Sequence, residues 1–448
     1  MTDADPATAT DAGSGPAGGA PVRPAGRFRR GAWAEPDFRR LWLGQTASQL
    51  GSQISLVASP LVAISLLHVD AGQMGVLGAL ARLPFLLYLV AGVFVDRVRR
   101  RPVVLGTDLA RGLLLLLIPI TWAVHVLSFW LLAGITFAVM VLTVWFDIAY
   151  MSYVPRLVSR GNLMQANTIM ESSQSTTMIV GPGLGGLLVQ ALTAPFAILA
   201  DSASYLVSAF AVWRIRAAEP APAAAEGARL SGIFGAVGAG LRFVVTDRIL
   251  GPLALAIGWS NLVWAAELAL YLLFVARGLG LSAALIGLTL AASGPGALVG
   301  SMLAGWAQRR ISLSGAIAGG LALFAASALL IPLAPHRLPL AVGVLMLSGF
   351  GMALGGQLCA VNVLTTRQLI TPDALLGRVN ASFRFLALGV SPLGSLLGGF
   401  LGQAIGARQA LLVAISGMFV PPLIVWFSPV RGLRQMPVET RPPREAGS

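Results

Sequence analysis

The chain alternates between long, uninterrupted apolar runs and short polar joints. A hydrocarbon core ~30 Å thick needs about 20 apolar residues in a spanning helix. Twelve runs approach or exceed that length: Leu41–Leu67, Met74–Val95, Val103–Val124, Leu127–Ala149, Ala166–Leu192 and Ala194–Trp213, then Ile249–Ala276, Leu281–Trp306, Ile311–Pro332, Leu338–Leu364, Ser382–Gln403 and Gln409–Phe427. A spanning strand would read as a shorter segment of alternating polarity, so continuous runs predict helices. The expectation is an all-α membrane protein of twelve helices.

Charge orients the helices. All 31 basic residues are arginine. If twelve helices alternate in direction, one side collects Arg23–Arg40, Arg97–Arg101, Arg156, Arg160, Arg214–Arg248, Arg309, Arg310, Arg367, Arg378 and Arg431–Arg444. The other side keeps Arg277, Arg337 and Arg408. Basic residues stay on the cytoplasmic side of a membrane protein, so both ends and the long middle joint are expected there. An odd number of crossings would mix the two sets.

Composition agrees with this reading. Hydrophobic residues make up 56% of the chain and charged residues 11%, against the ~25% charged residues of an ordinary soluble domain. The net charge of +13 is then a matter of membrane-side arginines, and no nucleic-acid partner is expected. With no lysine, the chain has neither a phosphate-loop ATPase motif nor a Schiff-base nucleophile. A single cysteine, Cys359, excludes a disulfide framework. His68, His125 and His336 stand far apart in joints, so no metal site and no cofactor are expected. No nucleophile–base set points to an enzyme.

A shift of 213 positions lays the second half on the first without a gap. Gly92 falls on Gly305, Arg97 on Arg310, Gly106 on Gly319, Pro119 on Pro332, Asn167 on Asn380, Gly185 and Gly186 on Gly398 and Gly399, and Gln190 on Gln403. Two parallel six-helix bundles follow, a repeat found in one large class of secondary transporters, whose solute site lies between the halves. The expected division is a disordered tail over 1–36, a first bundle over 37–215, a linker with an amphipathic segment over 216–247, a second bundle over 248–428 and a tail over 429–448.

Four stretches resemble the major facilitator superfamily, in the drug:proton antiporter branch of macrolide-exporter and enterobactin-exporter type. Gly92-Val-Phe-Val-Asp96-Arg97-Val-Arg-Arg-Arg101 is similar to the family's motif between helices 2 and 3. Gly181-Pro182-Gly183-Leu184-Gly185-Gly186 resembles its helix-5 antiporter motif, although Thr177 replaces an upstream glycine. The third stretch is Ala200–Ala209 and the fourth is Leu376–Asn380. The second copy of the first motif departs from the pattern, with Arg309 where Asp96 stands. The resemblance implies a conformational gate at Gly92, Asp96, Arg97 and Arg101, Asp96 meeting the start of helix 11 and Arg384. The alternative for these arginines is anchorage at anionic lipid. For Gly181, Pro182, Gly185 and Gly186 the resemblance implies a leak-limiting bend, with ordinary small-residue packing as the alternative.

Charges inside the spans cost at least ~2.5 kcal/mol each near the bilayer centre, so each needs a partner or a wet cavity. Asp108 and Arg111, three apart on one helix face, are expected to pair. Asp147 and Glu171 are expected to meet arginines of the gate. Asp201 and Glu267 have no arginine in their own helices. An acid stripped of water is biased towards its neutral form, so these two are candidates for carrying a proton, with Arg82 as a counter-charge. The alternative for each is a packing hydrogen bond. The expected function is a monomeric, proton-coupled exporter of amphipathic small molecules in the cytoplasmic membrane. The alternative is an importer or facilitator of a nutrient or lipid.

Overall fold

A computed structural model describes residues 31–88, 98–217, 219, 238, 240–372 and 375–433. Within these residues the chain forms α1 (Pro36–Ser65), α2 (Ala71–Leu87), α3 (Arg100–Ala123), α4 (Phe129–Leu157), α5 (Arg160–Leu192), α6 (Ala194–Trp213), α7 (Leu250–Gly278), α8 (Ala283–Arg310), α9 (Leu313–Leu333), α10 (Leu338–Ile370), α11 (Leu376–Ile405) and α12 (Ala407–Phe427). Among the described residues, 11 of these are long and apolar enough to cross a membrane. The shorter helix, α2, belongs to an apolar run that continues through 89–95, outside the described residues.

Local chemistry starts several helices. Asp70 and Gln73 bond each other's backbone N–H groups at 2.8 and 3.1 Å, a reciprocal cap that opens α2. Ser128, Ser282 and Ser312 accept N–H bonds from Leu131, Leu285 and Gly315, satisfying donors at the starts of α4, α8 and α9. Prolines stand inside α1, α3, α4 and α5, yet each helix runs on past its proline as one element.

The 213-residue repeat is visible in the backbone. It carries the regular part of α5, Leu163–Leu192, onto the bounds of α11, and the start of α6 onto the start of α12. The joints between these pairs match as well: Thr193 has φ 70° and Gly406, its equivalent, has φ 84°. Glycine adopts that conformation freely, whereas a β-branched threonine is strained there. In the first bundle α1 packs on α5 and α6, and α3 packs on α4 and α6. In the second, α7 packs on α11 and α12, and α9 packs on α10 and α12. The most extensive contacts between the bundles are those of α2 with α11 and of α5 with α8, as a twofold relation requires.

Order begins earlier and ends later than the apolar runs imply. Trp33 packs its ring edge-on against Trp42 at 4.7 Å and Ala32 donates to Gln165 Oε1 at 3.0 Å, so residues 31–35 are held on the first bundle by aromatic packing that hydropathy does not register. After α12, Val430 is fully buried and Leu433 O accepts the Ser314 N–H at 3.3 Å. The expected tail over 1–30, most of the linker (218, 220–237 and 239) and the tail over 434–448 lie outside the described residues.

Candidate functional site: the space between the bundles

Among the described residues the two bundles share one apolar cluster at one end and have separate clusters at the other. At the arginine-poor end, side chains of both bundles belong to a single apolar cluster, with Ile54, Leu77 and Ile198 from the first and Leu270, Ile286 and Leu411 from the second. Glycines set the approach. A Cβ on Gly75 would lie 2.7 Å from Gly399 Cα, across α2 and α11, and one on Gly186 would lie 2.8 Å from Gly287 Cα, across α5 and α8. Small residues let helix backbones meet this closely. Arg277, near the end of α7, closes the same face by donating to Val69 O at 2.8 Å and Ile64 O at 2.6 Å in the first bundle. Charged donors make the stronger hydrogen bonds.

At the arginine-rich end the apolar packing divides. Phe38, Val104, Phe146 and Tyr153 form one cluster within the first bundle, and Leu253, Ile317, Val363 and Phe383 form another within the second. Between α5 and α8 a cleft of about 930 Å³ opens. One wall carries Asn167, Thr168, Glu171, Ser172, Ser175 and Thr176, and Ile179 and Leu298 supply apolar surface. Met164, 82% exposed, lines the cleft from α5. Deeper in, Arg384 of α11 stands over the Tyr88 ring of α2 at 5.1 Å, and the Tyr88 hydroxyl donates to Asp147 of α4. Asp147 thus accepts its hydrogen bond from a phenol, with the charge of Arg384 close by over that ring. Glu171 is exposed on the cleft wall and forms no ion pair among the described residues.

The first bundle has a polar heart. Arg111 is bonded to Asp108 on α3, bonds Thr143 Oγ1 at 3.3 Å, and lies between the rings of Phe146 and Tyr205, each 4.2 Å from its guanidinium carbon. Ser208 donates to the other Asp108 oxygen at 2.7 Å. Tyr205 shares a hydrogen bond of 2.9 Å with Ser52, which carries the network from α6 to α1. Asp201 is buried at the α1–α6 contact and accepts from Ser204 at 3.3 Å. Gly51 makes room for it, because a Cβ there would stand 2.7 Å from Asp201 Oδ1. In the second bundle Glu267 on α7 is 3% exposed and its Oε2 has no hydrogen-bond partner among the described residues.

With this geometry in hand, comparison with known proteins is informative. Residues 31–444 match the major facilitator family of transmembrane secretion effectors. The chain belongs to that family. It is a multi-pass membrane transporter, not an enzyme. It is 27% identical over 427 residues to the enterobactin exporter EntS of Citrobacter koseri, covering 90% of this chain and 94% of that one. It is 29% identical over 388 residues to EntS of Escherichia coli O81, covering 82% and 85%. Among solved structures, a bacterial homolog of the human lysosomal transporter Spinster, inward-facing and unoccupied, matches with TM-score 0.67 and 13% identity over 90% of this chain and 98% of that one. The nucleoside transporter NupG matches with TM-score 0.71 and 10% identity over 87% and 99%. At such identities these structures speak for the fold alone.

The family's motif residues divide by location. Gly92, Asp96 and Arg97 lie outside the described residues. Arg101 donates to Trp213 O at 2.7 Å and Val212 O at 3.4 Å, so it fastens the end of α6 within its own bundle. In the helix-5 motif, Gly181 and Gly185 face Gln53 and Ile54 of α1, while Pro182 and Gly186 face Gly287 of α8. The equivalent glycines of α11 repeat the pattern: Gly394 and Gly398 meet α7, and Gly399 meets α2. Arg82 donates to Gly78 O at 3.0 Å within α2, and Asp201 and Glu267 form no ion pair among the described residues. Sequence reasoning passed over Arg277 and Tyr88. The signal for Arg277 was there, since it is one of three arginines on the arginine-poor side.

Proposed function

We propose that this transporter exports an amphipathic small molecule across the cytoplasmic membrane in exchange for protons, working as a monomer with its arginine-rich end in the cytoplasm. The cleft between α5 and α8 suits such cargo. Its hydroxyl- and amide-bearing wall can bond a polar group, and its methionine and leucine side chains can cover an apolar one. Export is the activity named for the EntS relatives, and enterobactin is a cargo to test first.

Proton exchange rests on Glu267, a carboxyl buried in α7 with an oxygen that no described residue bonds. An ionised carboxylate there lacks a counter-charge and would face several kcal/mol of desolvation, of order the penalties measured for unpaired buried ions. The neutral acid fits the closed state. In an exchange cycle the carboxyl takes up its proton from outer-side water when the bundles rock and the arginine-poor contacts separate, and gives it up towards the cytoplasm once that end has closed again. Asp201 carries a weaker form of the same argument, because Ser204 already bonds it.

The test is transport in reconstituted vesicles with an imposed pH gradient, using enterobactin and an amphipathic dye as probes. The expected outcome is gradient-driven accumulation that an uncoupler abolishes and that Glu267→Gln loses. Undiminished transport after the gradient is collapsed contradicts the coupling. Unchanged gradient dependence in Glu267→Gln moves the role away from this residue.

A further inference from the structure

The repeat continues past the last helix of each bundle, and there the two halves part in charge. In the first half Glu219, just after α6, lays its carboxylate on the start of α3. It accepts the N–H groups of Arg100 at 2.7 Å and Arg101 at 3.1 Å, and Arg156 stands 3.5 Å away. A carboxylate is well placed at a helix N-terminus. Shifted by 213 positions, Glu219 becomes Gly432 and residue 218, an alanine, becomes Arg431. The fold is kept. The segment after α12 caps α9, the equivalent of α3, through Leu433 O on the Ser314 N–H and Arg431 O on the Ser314 hydroxyl. Neutral carbonyls do in the second half what a carboxylate does in the first.

At these positions the second half has lost both acids and three of the arginines, Arg99, Arg100 and Arg101 becoming Ser312, Leu313 and Ser314, and it places new arginines where Asp96 and Ala218 stand. Asp96 corresponds to Arg309, Arg97 to Arg310, and Glu219 to Gly432. The three arginines 309, 310 and 431 line one cleft of about 800 Å³ between the ends of α8, α9 and α12. Among the described residues no carboxylate lies within ion-pair distance of any of them. Arg431 is stacked on the Trp426 ring at 4.6 Å, which fixes the direction of its guanidinium. Trp426 and Ile311, 50% and 59% exposed, give the cleft an apolar edge, and Phe427 beside it is 82% exposed. An aromatic residue at a span end, above a basic pocket between helices, marks the depth of lipid headgroups.

We infer that this cleft is a binding site for the phosphate of an anionic phospholipid, with cardiolipin or phosphatidylglycerol as the chemical class. The arginines offer planar, bidentate donors to phosphate oxygens, and the exposed aromatic and aliphatic side chains lie where the acyl chains leave the headgroup. The lipid takes the place that the acidic side chains hold in the first half. The second bundle would then be fastened at its arginine-rich end by lipid, and the first by its own linker.

The test uses the full chain in phosphatidylcholine nanodiscs containing a minority of cardiolipin, with lipid retention read by native mass spectrometry. Arg309→Gln, Arg310→Gln and Arg431→Gln are each expected to weaken cardiolipin retention roughly five-fold. Arg248→Gln, which removes one charge from the same end outside the cleft, is expected to leave it unchanged. Thermal unfolding monitors folding, and where a glutamine variant does not fold, Arg431→Lys replaces it. That variant keeps the charge but loses the fork and the stacking, and a smaller loss of retention is expected. Equal losses in Arg248→Gln and the cleft variants would overturn the site in favour of diffuse attraction, and retention unchanged in every cleft variant would overturn it outright. Displacement of cardiolipin by inorganic phosphate would make the cleft a site for soluble anions rather than lipid.

Discussion

At the heart of the first bundle stand Asp108, Arg111, Asp147, Asp201 and Tyr205. The residues 213 positions further on, at the heart of the second, are Leu321, Phe324, Ala360, Ala414 and Met418. One backbone plan thus holds a charged network in one copy and apolar packing in the other. The reverse holds at one place, where Glu267 of the second bundle corresponds to Ile54 of the first. Replacing a buried ion pair by well-packed apolar side chains is often neutral or stabilising. The second bundle shows that this fold accepts leucine and phenylalanine at those positions. The charges of the first bundle are thus not required by the architecture, which points to a role in the transport cycle.

The largest effect that would sharpen this contrast comes from breaking the pair on one side. Arg111→Ala leaves Asp108 buried with no cation and is expected to cost about 3–5 kcal/mol, read as thermal unfolding in detergent. Asp108→Leu with Arg111→Phe, which installs the second bundle's residues in the first, is expected to recover most of that stability while transport is lost. If the double variant is as unstable as the single one, the network is structural and the contrast loses its meaning.

Smaller effects test the closed end. Gly186→Val places a side chain against Gly287 and is expected to cost about 1–3 kcal/mol of overpacking. Part of that cost is relieved by separating the bundles, so labelling of a cysteine placed at the arginine-poor end should rise. Arg277→Gln removes two bonds from a charged donor to the first bundle. A shift of about 1–2 kcal/mol towards the state open at that end is expected in the same labelling assay. Tyr88→Phe removes the hydroxyl donor to Asp147 and is expected to cost about 1 kcal/mol, the smallest of the set, with transport slowed and folding retained.

Much of the architecture was legible in the chain because hydropathy and arginine placement are collective signals. Each apolar run overlaps a helix, and the offset of 213 that aligns glycines and prolines also aligns helix bounds and the Thr193 and Gly406 joints. The Asp108–Arg111 pair was readable from its spacing on one helix face. The partners of Asp147 and Arg277 were not, because Tyr88 and the carbonyls of Ile64 and Val69 come from distant helices and carry no motif. The folding of residues 31–35 and 429–433 onto the bundles was missed for a similar reason: their contacts are caps and ring edges rather than apolar length.

The central claim is that the bundles rock about the glycine contacts so that one end opens as the other closes. Spin labels at positions 164 and 302 report the arginine-rich end, and labels at 192 and 284 report the other. Pulsed distance measurements in nanodiscs, with and without cargo and across a range of pH, are predicted to show the two distances changing in opposite directions. Two distances that lengthen together, or that stay fixed while transport proceeds, would contradict the account.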